Sequence, residues 1–344
     1  MSLALSRRTF LQQSSCALLS LGGGSLQAAA QSPGTQVFYD PATLRLEPSR
    51  GHPESPKRLD AVMEAVRTLE RQGRLSVAAP RPAAEDEILL VHTPQYLKLV
   101  RSEIEAGRRT LSTGDTEVSS ASLDAALAAA GTVVSAVEAV VSGRARNAFC
   151  AVRPPGHHAS QARGMGFCVF NNIAIGARHA ARRHGVERIL IADWDVHHGN
   201  GTQEVFWSDG SVLLFDTHQH PWYPGTGSPN ETGEGKGRGL IVNRPFPAGA
   251  GRNEILGAFR TGLVTAAERF KPQLVMISAG FDSRAGDPLG QFTLADADFA
   301  ELTDLLVEIA RQHARGRIVS VLEGGYALDG LARAVGAHVG RLSA

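Results

Sequence analysis

Between positions 193 and 198 the chain reads Asp193-Trp194-Asp195-Val196-His197-His198, directly behind the apolar run Ile189 to Ala192. Two carboxylates and two imidazoles thus follow a segment that reads as a buried strand. Strand ends in open α/β sheets are where ligands bind. Asp and His packed this densely against hydrophobic residues point to a divalent metal site, with Asp195 and His197 as oxygen and nitrogen ligands. An open catalytic zinc site takes three protein ligands, whereas closed structural sites usually take four. The third candidate is Asp282, which follows the apolar run Val275 to Ala279 and the turn residue Gly280. Its alternative reading is a helix N-cap. Two anionic ligands would neutralise Zn2+ and leave it Lewis-acidic enough to polarise a carbonyl. Fe2+ or Co2+ suit the same donors.

Other polar clusters supply the rest of a hydrolytic site. His157 and His158 lie behind Pro154-Pro155-Gly156, a preset turn. One imidazole can serve as general base and the other can hold charge; in isolation the pair also reads as surface loop histidines. Asp193 can orient an imidazole through its N–H. Tyr326, in Glu323-Gly324-Gly325-Tyr326, offers a phenol donor for an oxyanion, or a half-buried packing residue. His218-Gln219-His220 reads better as a lining of the site mouth than as a metal ligand pair. The glycines from Gly233 to Gly239 lack the spacing of a phosphate loop.

The elements that must position these groups alternate. Candidate strands are 37–39, 148–152, 189–192, 212–215, 274–278 and 318–322. Candidate helices are 56–72, 122–141, 172–184, 254–270, 296–314 and 328–342. Continuous apolar strands alternating with helices imply a parallel sheet covered on both faces. Such a sheet brings the polar strand ends to one edge, so that separate segments build one site. The chain has 344 residues, 43% hydrophobic and 20% charged, with a net charge of +1. That balance gives no reason to expect nucleic-acid binding. No stretch reaches the roughly 18 consecutive apolar residues of a membrane span.

The first 30 residues differ. Arg7-Arg8 precede Phe10-Leu11, the apolar run Ala17 to Leu19 and Ala28-Ala29-Ala30. This resembles a twin-arginine export signal of a bacterial protein; an ordinary secretory signal is the alternative. The expected organisation is a signal peptide over 1–30 and a catalytic domain over 31–344. The mature chain would be periplasmic, with no stable membrane anchor after processing. Cys150 and Cys168, both flanked by apolar residues, read as buried free thiols rather than a disulfide.

Taken together, the motifs resemble the zinc-dependent histone deacetylase superfamily. They are Arg153 to Ala159, Gly166 to Asn172, Asp193 to Gln203, Tyr223 to Gly227, Ala279 to Asp282, Gly286 to Gly290 and Glu323 to Tyr326. The match runs from the segment His52 to Leu59 almost to the C-terminus. Trp194 and Asn200 place it nearest the class II and bacterial amidohydrolase branch, related to acetylpolyamine amidohydrolases. The resemblance implies an arginase-like, open three-layer α/β fold around a mostly parallel eight-stranded sheet. It implies zinc on Asp195, His197 and Asp282, His158 as general base and acid, His157 as its electrostatic partner oriented by Asp193, and Tyr326 on the substrate carbonyl. Gly166, Phe167 and Tyr223 would flank a narrow tunnel, with Leu289 at its rim. The glutamate of the polyamine-specific branch is absent from that rim position. A structural K+ would sit among Asp193, Asp195, His197, Asp216 and Thr217, where Asp216 replaces the serine of many relatives. Asp115 could be the loop acid that grips substrate.

The leading reading is a deacetylase acting on small-molecule or peptide acyl-amines such as acetyl-lysine or acetylpolyamines. A metal hydrolase of other amides or esters, and a low-turnover acyl-amine-binding protein, are the competing readings. Oligomeric state is not legible.

Overall fold

The computed structural model describes residues 34–344; the expected export signal over 1–30 lies outside the described residues. The strands are β1 (Thr35–Tyr39), β2 (Leu75–Ala78), β3 (Asn147–Ala151), β4 (Ile189–Asp193), β5 (Val212–Gln219), β6 (Ile241–Phe246), β7 (Leu274–Ala279) and β8 (Ile318–Leu322). They form one sheet in the order β2-β1-β3-β8-β7-β4-β5-β6. Every pairing is parallel, so the sheet expected to be mostly parallel is entirely so. Every residue of β3, β4, β5, β7 and β8 is buried. This is why those strands read as unbroken apolar runs.

β2 and β6 escaped the sequence reading, and both lie at sheet edges. Their burial is partial and their residues mixed: Leu75-Ser76-Val77-Ala78 and Ile241-Val242-Asn243-Arg244-Pro245-Phe246. Pro245 cannot donate to a ladder, and an edge position tolerates it.

Two groups of helices cover the sheet. Lys57–Arg71, Asp296–His313 and Leu328–Leu342 pack on one another, and Ser122–Val141 packs on Asn172–His184. Asn172–His184 begins with the Asn171 side chain accepting from the Ala174 N–H and ends on left-handed Gly185, a common stop signal. The expected helix over 254–270 is interrupted by a π-helical turn, Phe259–Leu263. Gly262 lies there against the Phe215 ring.

Ser122–Val141 is apolar and long enough to cross a membrane by composition. Instead it is a core helix, buried on most of its circumference and packed on β1, β3 and β8. Its small residues let another backbone lie directly on it. The Ala83 N–H donates to the Leu127 carbonyl at 2.8 Å. A Cβ on Gly131 would stand 2.1 Å from the Arg81 carbonyl oxygen and 2.3 Å from the Ala83 nitrogen. Gly131→Ala is therefore expected to destabilise the fold by about 1–3 kcal/mol through overpacking, despite alanine's better helix propensity. Urea unfolding checks this; an unchanged or raised midpoint would show that the 81–83 segment yields freely.

Candidate active site

The carboxyl ends of β3, β8, β7 and β4 are neighbours in the sheet. The loops that follow them carry the chemistry-bearing residues to one place. Asp195 and His197 come from the loop after β4 and Asp282 from the loop after β7. His197 Nδ1 lies 2.9 Å from Asp195 Oδ1 and 3.2 Å from Asp282 Oδ2. One donor atom from each residue falls within 4.8 Å of the others, and all three residues are buried.

Backbone donors hold the carboxylates in place. The Gly324 N–H donates to Asp195 Oδ2 at 2.8 Å, the His197 N–H to Asp195 Oδ1 at 3.0 Å, and the Val196 N–H to Asp282 Oδ1 at 2.9 Å. Among the described residues, Asp282 Oδ2 is buried and makes no well-formed hydrogen bond, its 3.2 Å contact with His197 Nδ1 being an ion-pair approach. Burial and the adjacent Asp195 carboxylate push the Asp282 carboxyl up to about 7. A buried, unpartnered carboxylate oxygen beside a second carboxylate and an imidazole is the donor set a divalent cation takes. Glycines leave room for it: a Cβ on Gly324 would stand 2.0 Å from Asp282 Oδ2 and 2.6 Å from Asp195 Oδ2. The N-cap alternative for Asp282 fails, because the next helix begins only at Asp296.

His157 and His158 are buried, not surface histidines. Their ring centroids lie 4.0 Å apart with the planes tilted by 45°. His157 Nδ1 meets Asp193 Oδ2 at 3.0 Å. Burial opposes protonation of His157, but the Asp193 and Asp195 carboxylates outweigh it and hold the imidazolium well above its usual range. His158 is pushed the other way, well below its usual range, by burial and by the neighbouring His157 and His197. His158 Nδ1 meets Asn200 Oδ1 at 2.8 Å. With Asn200 as acceptor, Nδ1 carries the proton and Nε2 the lone pair. From the sequence Asn200 is only a family mark; its orienting role emerges from the three-dimensional contact.

His157, His158, Asp195 and His197 line a cavity of about 240 Å3 together with Asp115, Gly166, Phe167, Trp222, Tyr223, Leu289 and Tyr326. Gly166 has φ +56°, and a Cβ there would stand 2.3 Å from the His158 ring, so only glycine lets the loop cross that imidazole. The Phe167 ring meets His52 at 4.6 Å and Tyr326 at 5.9 Å. The Tyr223 ring stands edge-on to His158 at 5.2 Å. The Asp115 carboxylate accepts from the Gly166 N–H at 2.8 Å and from the Tyr223 hydroxyl at 3.4 Å. Asp287 accepts from the Tyr326 N–H at 2.7 Å and the Leu289 N–H at 3.0 Å, so it ties the rim loop to the Tyr326 loop. Trp222, absent from the sequence reading, donates its indole N–H to the Leu289 carbonyl.

Three of the residues expected around a monovalent cation, Asp193, Asp216 and Thr217, lie together. Asp193 and Asp216 pair across β4 and β5, and the Thr217 hydroxyl donates to the Asp193 carbonyl at 3.4 Å. The two Asp216 oxygens are engaged by His218 Nδ1 at 2.7 Å and the Gly199 N–H at 2.9 Å. His218 therefore does not line the mouth as expected. It is buried between Asp216 and the Gly227 carbonyl, while His220 is exposed. Cys150 and Cys168 are free and buried, as the sequence suggested. A second acid–histidine group, Glu87, Glu138 and His179, already has a cation. The Arg81 guanidinium bonds Glu87 through 2.6 and 2.7 Å contacts and Glu138 at 3.1 Å.

An all-parallel sheet with a buried Asp-His-Asp cluster and an adjacent histidine pair at its carboxyl edge defines an arginase-like α/β architecture. The model of the histone deacetylase domain matches residues 52–342. A probable deacetylase of Archaeoglobus fulgidus is 40% identical over 298 residues, covering 86% of this chain and 82% of that protein. The polyamine deacetylase HDAC10 of Homo sapiens is 41% identical over 293 residues; the alignment takes in 82% of this chain but only 43% of the human protein. Among solved structures, the HDA15 HD domain superposes with a TM-score of 0.85 at 36% identity, covering 90% of each chain. The chain belongs to the histone deacetylase family.

Gly324→Ala pushes a methyl group into the Asp195–Asp282 cradle. It is expected to weaken divalent-metal binding by about 10-fold or more while the protein stays folded. Metal content after reconstitution and dialysis checks this; undiminished loading would show that the carboxylates do not converge on an ion.

Proposed function

We propose that this chain is a zinc-dependent deacetylase that cleaves acetyl or related acyl groups from amines such as acetyl-lysine and acetylpolyamines. The observation that carries the reading is the unpartnered Asp282 oxygen beside Asp195 and His197, with His158 and Tyr326 lining the same cavity. A zinc ion held by Asp195, His197 and Asp282 would polarise the acyl carbonyl and make water a stronger acid.

The chain's own groups divide the remaining work. His158, neutral and with its Nε2 lone pair free, takes the proton of the attacking water and later gives one to the leaving nitrogen. His157, kept cationic by Asp193, offsets the negative charge that grows at the carbonyl. The Tyr326 phenol, kept protonated by burial despite the opposing Arg58 cation, donates to the carbonyl oxygen as it becomes an oxyanion. The C–N bond breaks, the amine departs with its proton, and a carboxylate remains. Phe167 and Tyr223 form the walls that strip water from the acyl-amine stem. Leu289 gives the rim an apolar edge, which favours an acyl-lysine stem, and Asp115 supplies a carboxylate for a substrate amide or ammonium group.

The test is turnover by the chain over residues 31–344 on acetyl-lysine peptides and acetylpolyamines, with metal content measured in parallel. Activity lost on chelation and restored by zinc is the expected result. One bound zinc with no turnover on any member would favour an acyl-amine-binding protein instead. Tyr326→Phe should keep zinc and lower kcat about 100-fold or more; an unchanged kcat would reject its role. We also propose periplasmic localisation by twin-arginine export, supported by Arg7-Arg8 with Phe10-Leu11. Replacing both arginines with lysine should hold the precursor in the cytoplasm, and normal export would point to the general secretory route.

A further inference from the structure

The segment His52 to Leu59 contributes no residue to the proposed chemistry except the His52 ring against Phe167, yet Glu54 and Arg58 within it are almost fully buried. The Glu54 carboxylate sits between two guanidiniums. Its Oε1 accepts from Arg58 Nη1 at 3.0 Å and from Arg153 Nε at 2.6 Å, and its Oε2 accepts from Arg153 Nη2 at 2.6 Å. Each arginine then reaches a different loop of the site. Arg153 opens the Arg153-Pro154-Pro155-Gly156 turn that leads into His157 and His158. It also donates to the Thr43, Leu46 and Glu54 carbonyls at 3.1, 3.2 and 3.0 Å. Arg58 donates to the Gly325 carbonyl at 2.7 Å and the Glu323 carbonyl at 2.5 Å. Its guanidinium carbon lies 4.7 Å from the centre of the Tyr326 ring.

We propose that Glu54 is a positioning residue that holds Tyr326 in register with the His157–His158 loop by tying Arg58 to Arg153. Without the carboxylate, two like charges would face each other in a water-poor interior, where repulsion is strong. Arg58 would move, and it would carry the Gly325 carbonyl and the face of the Tyr326 ring with it. A cation over the ring also polarises the phenol, so the shift would weaken Tyr326 as a hydrogen-bond donor. Glu323 makes a second tie between the same loops, because its Oε2 accepts from the Gly156 N–H at 2.7 Å and the His157 N–H at 3.2 Å. The Glu323 carboxylate fixes the backbone of the His157 loop, and Glu54 adds the side-chain orientation of Tyr326. Only the kinetic arm of the test rests on the deacetylase reading.

Glu54→Gln keeps the shape and removes the charge. In zinc-loaded full-length protein it is expected to lower kcat about 10- to 100-fold, with KM within about twofold and zinc content unchanged. A double-mutant cycle isolates the route: if Glu54 acts through Tyr326, adding Glu54→Gln to Tyr326→Phe should slow the enzyme no further. Equal effects in both backgrounds would overturn the proposal. A spectroscopic arm needs no turnover. The chain has four tyrosines, and protein labelled with 3-fluorotyrosine should give four 19F resonances, Tyr326 being the one lost in Tyr326→Phe. In Glu54→Gln that resonance should move while those of Tyr39, Tyr96 and Tyr223 stay. An unmoved Tyr326 line, or a shift of all four, overturns the proposal even if wild type fails to hydrolyse any acyl-amine. If Glu54→Gln does not fold, Arg58→Lys serves, since a lysine keeps the charge but lacks the planar fork that joins Glu54 to both carbonyls. Failure of both to fold would mean that the group only holds the fold together, and would also overturn the proposal.

Discussion

Crowded negative charge, taken out of water, is the constraint on which this structure turns. Asp193, Asp195, Asp216, Asp282 and Glu323 are all essentially inaccessible and gather at the carboxyl edge of one sheet. Ions removed from water cost several kcal/mol each unless paired and hydrogen-bonded. The chain meets that cost with fixed donors. Backbone N–H groups of Gly156, Val196, His197, Gly199 and Gly324 point at carboxylate oxygens, and His157 and His218 add imidazole partners. One oxygen, on Asp282, is left over. The site is thus a nearly saturated set of hydrogen bonds with one unmet acceptor, and that acceptor lies where a cation would do chemistry.

The fold makes such crowding tolerable by surrounding it with rigid material. The strands that deliver the loops are buried on both faces, and each core Ile, Val, Leu or Phe contributes about 1.5–3 kcal/mol. Trp194, between the two acids of Asp193 and Asp195, faces Phe259, Phe299 and His338. Alternate residues of an extended segment point to opposite sides. One segment can therefore anchor itself in the core with its middle residue and present carboxylates to the site with its neighbours.

What could be read from sequence follows from this division. The central strands were visible because full burial demands continuous apolar runs. The edge strands β2 and β6 were not, because half-exposed strands with Ser76, Asn243 or Pro245 look like loops. Asp195, His197 and Asp282 stood out as charged residues at the ends of apolar runs, and the structure brings them together. Tertiary partners were harder to see. Asn200 orients His158 across 42 positions of sequence, and Glu54 reaches Arg153 across 99. Neither link leaves a local pattern. His218 misled for the opposite reason: its His-x-His spacing suggests a mouth or ligand role, but its strand register turns it inward to Asp216.

Phe167 carries a cost of its own. It holds φ at 67° without being glycine, a left-handed conformation worth roughly 1–2 kcal/mol against an ordinary side chain. The ring that fills this costly position lines the cavity, between His52 and Tyr326. A glycine there would relax the backbone and leave the cavity without that side. Local stability and an intact cavity wall are therefore opposed at this residue. Selection for a tougher protein would erode the wall, and selection for a tighter wall must accept a less stable loop.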